Sequence, residues 1–305
     1  MNRPNQSRWV AAGCKLNLYL HINGRRPDGY HELQTHFQLL DYGDRIRIDT
    51  ESSGIHVEWI AGDEGLSGRP ANPADDLLYR AAISLCGEAQ ADDPDRRCNA
   101  RITLQKNAPV GGGLGGGSAA AARVMLELNR LWGLNLPLER LCELGARLGA
   151  DVPVFLRRQN ATAHGIGDIL LPGEISYAPA WYLILIPDRR APTAALFSSS
   201  ELVRDTPKQA DSHLLTHWRD EGFNAFEPVL LADDPELAAL RDALANRTGF
   251  ARLTGSGACL FAPVESAATG HRLGEELQAQ HPILRRFIVA QPVLTANQEV
   301  SENTS

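Results

Sequence analysis

The run Pro109-Val-Gly-Gly-Gly-Leu-Gly-Gly-Gly-Ser118-Ala-Ala-Ala-Ala122 governs the reading of this chain. Six of the seven positions from Gly111 to Gly117 are glycine. With no Cβ in the way, backbone N–H groups can turn inward and approach a ligand closely. The alanines open a helix that continues as Arg123-Val-Met-Leu-Glu-Leu-Asn-Arg-Leu-Trp132. Free donors and the positive end of the helix dipole then converge, which makes an anion site. The expected anion is the phosphate of a nucleotide.

Two familiar glycine loops do not fit. A P-loop ends in Gly-Lys-Ser/Thr because its lysine reaches the β/γ-phosphates. Here Gly117-Ser118 is followed by Ala119. A dinucleotide fingerprint can be laid over Gly111, Gly113 and Gly116, but a glycine-saturated segment matches it by accident. The acid near the required distance, Glu139, lies in the amphipathic pattern Pro137-Leu-Glu-Arg-Leu-Cys-Glu-Leu-Gly-Ala-Arg-Leu-Gly149 rather than at a strand end. A flexible linker would have polar, low-complexity flanks. This loop instead sits between the β-like Ala100-Arg-Ile-Thr-Leu104 and a strong helix.

At 305 residues, the chain has room for two domains. Its 43% hydrophobic and 22% charged residues are those of a soluble globular protein. The net charge is −7, and basic residues form only short pairs such as Arg25-Arg26 and Arg189-Arg190. Nucleic acid is not an expected partner. The longest apolar run, Ala180-Trp-Tyr-Leu-Ile-Leu-Ile186, is too short to span a bilayer and reads as a buried strand. Cys14, Cys86, Cys98, Cys142 and Cys259 are scattered and form no C-x-x-C pair. They read as reduced thiols of a cytoplasmic protein or as small core residues, not as a disulfide frame or zinc site.

Strand signals fall at 9–14, 16–22, 45–49, 55–60, 100–105, 152–157, 161–165, 181–186, 250–253, 258–262 and 284–290. Helical patterns fall at 75–87, 118–132, 137–148, 208–219, 223–232, 235–246 and 265–280. The mixture lacks strict βαβ alternation and predicts an α+β fold. The expected division is an N-terminal domain over 1–165, a C-terminal domain over 166–295 and a disordered polar tail over 296–305.

Four further stretches carry chemistry. Lys15 and Asn17 share one face of an apolar strand. A buried lysine is costly without an anionic partner, whereas an edge lysine is simply solvated. Pro27-Asp-Gly-Tyr30-His31 is a turn followed by an aromatic and an imidazole. They could form a chance surface pair or a stacking site for a flat base. Asp151, in Gly149-Ala-Asp-Val-Pro-Val-Phe155, is either a helix-end residue or a base for an attacking hydroxyl. Thr254-Gly-Ser-Gly257 is either a tight hairpin or a second phosphate-approaching turn.

The glycine loop resembles Pro-x-x-x-Gly-Leu-Gly-Ser-Ser of the GHMP superfamily of small-molecule kinases, with Pro109, Gly113, Leu114 and Gly115 matching directly. The stretches Lys15-Leu-Asn-Leu18, Arg26-Pro-Asp-Gly-Tyr-His31, Phe37-Gln-Leu-Leu-Asp-Tyr-Gly-Asp44, Leu148-Gly-Ala-Asp-Val-Pro-Val-Phe155 and Leu253-Thr-Gly-Ser-Gly-Ala-Cys259 extend the resemblance over nearly the whole chain. The Asp-Gly-Tyr-His and Asp-Tyr-Gly-Asp segments narrow it to the branch whose acceptor is 4-diphosphocytidyl-2-C-methyl-D-erythritol. The resemblance implies a ribosomal-protein-S5-like N-terminal domain and a ferredoxin-like C-terminal domain, with ATP and substrate meeting between them. It implies transfer of the ATP γ-phosphoryl to the substrate 2-hydroxyl in the non-mevalonate isoprenoid route, with Mg²⁺ required.

By the same resemblance, Asp151 is the base or orienter of the hydroxyl, and Lys15 sits beside it and the transferring phosphoryl. Asn17 holds the methylerythritol end. Tyr30 and His31 contact cytosine, Phe197 is a second stacking wall, and Thr193 lies near the polar substrate. Pro109, Val110, Gly111, Gly112, Gly113, Leu114, Gly115, Gly116, Gly117, Ser118 and Ala119 hold the ATP phosphates, and Lys106 approaches the nucleotide. No protein metal ligand is assigned.

Two departures stand out. Ser118-Ala-Ala-Ala121 replaces the common Ser-Ser-Asn-Ala, and Asp76 stands where an asparagine is common near the adenine pocket. Another GHMP kinase acting on homoserine or mevalonate would keep the loop and Asp151 but has no use for a cytosine clamp. A regulatory nucleotide-binding protein would have no need of both Lys15 and Asp151. A purely structural protein leaves the loop unexplained. The expected partners are a small-molecule substrate and, at most, a second copy of the chain, as monomer or homodimer.

Overall fold

The computed structural model describes residues 8–50, 53–66, 68–189 and 193–294. The tail expected over 296–305 and Pro192 lie outside the described residues. The chain forms two compact units that interleave in sequence. One is built from the described residues up to Cys14, Tyr42–Val110 and Gly115–Arg158. The other is built from Lys15–Asp41, Gly111–Leu114 and the described residues from Gln159 onward. The strands β1 (Val10–Arg25) and β2 (His31–Asp49) each give residues to both units. The strands expected at 9–14 and 16–22 are therefore one continuous strand, and β2 starts well before the strand expected at 45–49.

In the first unit, β3 (Ile55–Ala61) runs parallel to β4 (Ala100–Lys106), with Ile55 opposite Ala100 and Ala61 opposite Lys106. β4 pairs antiparallel with the end of β2, from Arg45–Gln105 to Asp49–Arg101. The parallel pair needs a crossover, supplied by α1 (Leu77–Asp92). Leu78, Ala81, Ala82 and Leu85 repeat at helical spacing and are buried. Asp76 caps this helix by accepting from Leu78 N at 2.8 Å, and it accepts from Trp59 Nε1 at 2.7 Å. In α2 (Gly116–Leu131), the alanines at 119–122 are all buried. Their small side chains let α1 and α2 pack closely. Two further helices, α3 (Leu138–Leu148) and α4 (Val152–Arg157), complete the layer.

The helix α4 corrects one expectation. Residues 152–157 read as strand, but they form a short helix with proline in its first turn. A continuous apolar run fits a buried helix as well as a buried strand, and proline is tolerated in the first helical turn, where N–H groups lack partners.

In the second unit, the start of β2 pairs antiparallel with β5 (Ala161–His164), from Thr35–Ala163 to Phe37–Ala161. β5 pairs with β6 (Ile169–Pro172). A separate sheet has the order β10-β7-β9-β8, with β7 at Trp181–Pro187, β8 at Arg252–Leu253, β9 at Leu260–Val264 and β10 at Leu284–Ala290. Every pairing in it is antiparallel. The connections from β7 to β8 carry α5 (Thr193–Ser198), α6 (Asp211–His217), α7 (Glu227–Asp233) and α8 (Pro235–Thr248). The connection from β9 to β10 is α9 (Ala267–Gln280), which packs on β10 and β7. This is the β-α-β-β-α-β arrangement of ferredoxin-like folds.

The core of the second unit is made by Leu183, Leu185, Leu240, Leu244, Leu260 and Leu277, among others. The buried Arg252 donates to the carbonyls of Leu18, Trp218, Arg219 and Gly222 and so pins the turn after α6 onto β1.

Candidate active site

The glycine loop takes the backbone its composition allows. Gly111, Gly113 and Gly115 have φ of 75°, 81° and 71°, the left-handed region. Gly115 is the N-cap of α2, and no side chain caps that helix. The first N–H groups of α2 are thus without a side-chain partner at the positive end of a long helix.

Within the second unit, residues 111–114 lie backbone to backbone against the Thr254–Gly257 turn. A Cβ at position 113 would collide with Thr254 O, and one at 257 would lie 2.6 Å from Gly112 O and nearer still to the Gly113 nitrogen. Lys15 ties the cluster together. Its Nζ donates to Gly113 O at 2.7 Å and to Asn17 Oδ1 at 2.5 Å, and its backbone N donates to Leu114 O at 3.0 Å. Asn17 in turn donates from Nδ2 to Thr35 Oγ1 at 2.8 Å and from its backbone N to Thr254 Oγ1 at 2.9 Å. Lys15 is only 3% exposed. These oxygens offset part of its desolvation and aim the ammonium at the loop. Thr193 joins the same neighbourhood through a 2.7 Å hydroxyl contact with Ser256.

The aromatic residues gather in the same unit. The turn before β2 closes through Arg26 N donating to Tyr30 O at 2.7 Å and Tyr30 N donating to Asp28 Oδ1 at 3.1 Å. It leaves Tyr30 60% exposed. The His31 ring stacks on Phe197 with centroids 4.9 Å apart and planes at 26°. Phe197 is held edge-on by Phe226 at 4.9 Å. Burial first, and then the charges of Arg204 and Arg25, hold the His31 pKa below the usual imidazole value.

The first unit holds the other candidates. Lys106 is buried and paired with Asp44, Nζ to Oδ2 at 2.6 Å. The other Asp44 oxygen accepts from Asn107 N and Ala108 N, both at 2.8 Å, which fixes the chain just before the loop. A Cβ at Gly116 would lie 3.4 Å from Lys106 Nζ, so this ammonium sits under the first turn of α2 with its charge balanced by Asp44. Ser118 Oγ lies close to Gly149, at 3.8 Å from where a Cβ there would stand. Asp151 follows two residues later, half-buried, at the N-cap position of α4, but its side chain does not cap the helix.

Residues 76–159 match the family described as GHMP kinases N terminal domain, and residues 206–283 match GHMP kinases C terminal. The chain is 41% identical over 280 residues to the 4-diphosphocytidyl-2-C-methyl-D-erythritol kinase of Cupriavidus metallidurans, covering 91% of each chain. A crystal structure of 4-(cytidine 5'-diphospho)-2C-methyl-D-erythritol kinase superposes with a TM-score of 0.77 at 31% identity, over 93% of this chain and 99% of the other. The chain belongs to the 4-diphosphocytidyl-2-C-methyl-D-erythritol kinase family. A homoserine kinase from Cytophaga hutchinsonii superposes with a TM-score of 0.67 at 14% identity, over 96% and 98% of the two chains, and shares the fold alone.

Members of the 4-diphosphocytidyl-2-C-methyl-D-erythritol kinase family are GHMP kinases, and the α+β two-domain fold expected from the sequence is the fold of that superfamily. This chain is accordingly an ATP-dependent small-molecule kinase. No helix among the described residues is long and apolar enough to cross a membrane.

Lys15, Asn17, Gly113, Leu114 and the Thr254 turn come together directly, and His31 and Phe197 touch each other. Sequence reasoning gave no role to Asp44 or Arg204. Asp44 lay inside a quoted motif, and a buried aspartate beside two loop N–H groups cannot be inferred from one chain. Arg204 sits in irregular chain with no motif around it.

Among the described residues, the group of three metal-ligand side chains in reach of one another is His213, His217 and Glu221, all exposed. A histidine-rich set suits borderline metals, whereas Mg²⁺ takes oxygen ligands. The Ser118 hydroxyl, beside Gly149, is an oxygen donor of the type Mg²⁺ accepts beside substrate phosphates.

Proposed function

We propose that this kinase transfers the γ-phosphoryl of ATP to the 2-hydroxyl of 4-diphosphocytidyl-2-C-methyl-D-erythritol, giving the 2-phosphate and ADP. The observation that carries the substrate is the stacked His31–Phe197 pair beside an exposed Tyr30, in the same unit as the Lys15–Asn17 cluster. A flat base would use such aromatic faces; homoserine and mevalonate have no base to place there.

Phosphoryl transfer has a loose transition state, so the protein mainly positions groups and neutralises charge. The N–H groups of residues 111–119 would receive the ATP phosphates. Lys15 would place positive charge on the transferring phosphoryl while Asn17 orders the polyol. Asp151 would accept a hydrogen bond from the hindered tertiary hydroxyl and take its proton, a contribution of roughly 10²–10⁴-fold. The Ser118 hydroxyl would hold Mg²⁺, which when bound neutralises phosphate charge. Lys106, with its charge met by Asp44, would steady the loop under α2.

The test is ADP release from Mg-ATP with the cytidylyl substrate, mevalonate and homoserine side by side. Turnover with the cytidylyl substrate alone is expected. Turnover with mevalonate or homoserine in its place would overturn the substrate reading and leave the kinase chemistry standing.

A further inference from the structure

Arg204 is engaged at every nitrogen. Nη1 donates to Leu202 O at 2.9 Å, and Nη2 donates to Phe197 O at 2.9 Å and Ser199 O at 2.6 Å. Nε donates to Nε2 of His31 at 3.3 Å. A guanidinium has five N–H donors and no acceptor, and it keeps its proton at any pH a protein survives. The His31 Nε2 facing it must therefore be the accepting nitrogen. In a neutral imidazole, the proton is then on Nδ1.

Protonating the ring would set an N–H against the guanidinium. The charges acting on the ring, Arg204 and Arg25, both oppose that, as does burial among apolar groups such as Phe197. The same guanidinium grips the carbonyl of Phe197, so one side chain sets both the stack and the tautomer.

We infer that Arg204 is a positioning residue of the base clamp, which locks His31 as the neutral Nδ1–H tautomer and so makes the clamp select cytosine over uracil. The inference rests on the cytidylyl-substrate reading above. Cytosine presents an acceptor at ring N3, where uracil carries N–H. A fixed imidazole donor meets an acceptor in the first case. In the second, two donors face each other and both go unpaired, which rejects the wrong base more strongly than a missing apolar contact does.

The first experiment is long-range ¹H–¹⁵N correlation NMR of the ¹⁵N-histidine-labelled full chain near neutral pH, with His31 assigned by its loss in His31→Gln. A protonated Nδ1 and an unprotonated Nε2 are expected, and the reverse pattern overturns the inference. The second is steady-state kinetics with the cytidylyl substrate and its uridylyl analogue. The wild-type protein should prefer the cytidylyl form by about 100-fold in kcat/KM, and Arg204→Met should narrow this to below about tenfold.

In Arg204→Met, the KM for the cytidylyl substrate should rise about tenfold, while the KM for ATP stays put. That substrate KM should also begin to climb as the pH is lowered from 7.5 to 6, because His31 now titrates there. A merely structural arginine would leave the uridylyl ratio and the pH profile unchanged, and that result overturns the inference. If Arg204→Met fails to fold, the tautomer and the wild-type base preference still decide. Wild-type protein that neither turns over the cytidylyl substrate nor binds CDP would overturn the substrate reading and the base-clamp role together. Turnover with an Nε2-protonated His31 would overturn the Arg204 inference alone.

Discussion

Gly257→Ala isolates the contact between the glycine-rich loop and the turn that backs it. Gly257 does not have a positive φ, so a methyl group there carries no conformational penalty of its own. The whole effect is steric. The new Cβ would lie 2.6 Å from Gly112 O and within 3.0 Å of the Gly112 carbonyl carbon and the Gly113 nitrogen, closer than real Cβ atoms come. These neighbours are backbone and cannot rotate aside, so the two segments must part by about an ångström, a misplacement that can cost on the order of 10² in turnover. The overpacking itself should cost about 1–3 kcal/mol of stability.

Gly249→Ala is the control. Gly249 ends α8 with φ 71° and nothing within 4 Å of a would-be Cβ, so it suffers about 1–2 kcal/mol of left-handed strain without any clash. ADP-release kinetics and urea unfolding on both variants separate the two effects. Comparable losses of stability are expected, with a fall in turnover and a rise in the ATP KM only in Gly257→Ala. Wild-type turnover in a folded Gly257→Ala protein would refute the view that this backbone contact sets the loop.

Other expectations follow from single residues. Asp151→Asn should keep the melting temperature and ATP binding while lowering turnover by roughly 10²–10⁴-fold; turnover near wild type would remove Asp151 from the chemistry. Asp44→Asn leaves the Lys106 ammonium buried without its counter-charge and should cost about 3–5 kcal/mol in urea unfolding, partly recovered in the double variant with Lys106→Met. No recovery would mean that the two side chains are not energetically coupled.

His36 is fully buried, and burial holds its pKa down to about 4 against 6.5 in the unfolded chain. Below pH 6.5 the unfolded chain binds a proton that the folded one refuses. Stability is thus complete above 6.5 and falls by about 3 kcal/mol as the pH drops to 4. Unfolding free energies measured from pH 7 to 4.5 should show a slope that His36→Gln flattens, and an unchanged slope would exclude this histidine as its source.

Local chemistry was legible along the chain. The glycine density of 111–117 carried the left-handed backbone at Gly111, Gly113 and Gly115, because only glycine adopts it without strain. The periodicity of α3 and the short apolar run of β7 carried those elements. The apolar run at 152–157 misled, since hydrophobicity without a period does not separate a buried helix from a buried strand. The early start of β2 was also missed: its residues 34–40 are buried throughout and include Gln34, His36 and Gln38, so no apolar–polar alternation marks them.

The sequence by itself determined that a glycine-rich loop opens α2, which motifs surround it, and to which superfamily those motifs are similar. Only the tertiary structure decided each side chain's partner. Lys106 meets Asp44, Asn17 meets Thr254, and His31 lies between Phe197 and Arg204. Those partners are 62, 237 and 173 positions apart in the hydrogen-bonded pairs. Backbone conformation and helix periodicity are set by neighbours within a few residues. The charge state, tautomer and aim of a buried polar group are set by whatever the fold packs against it.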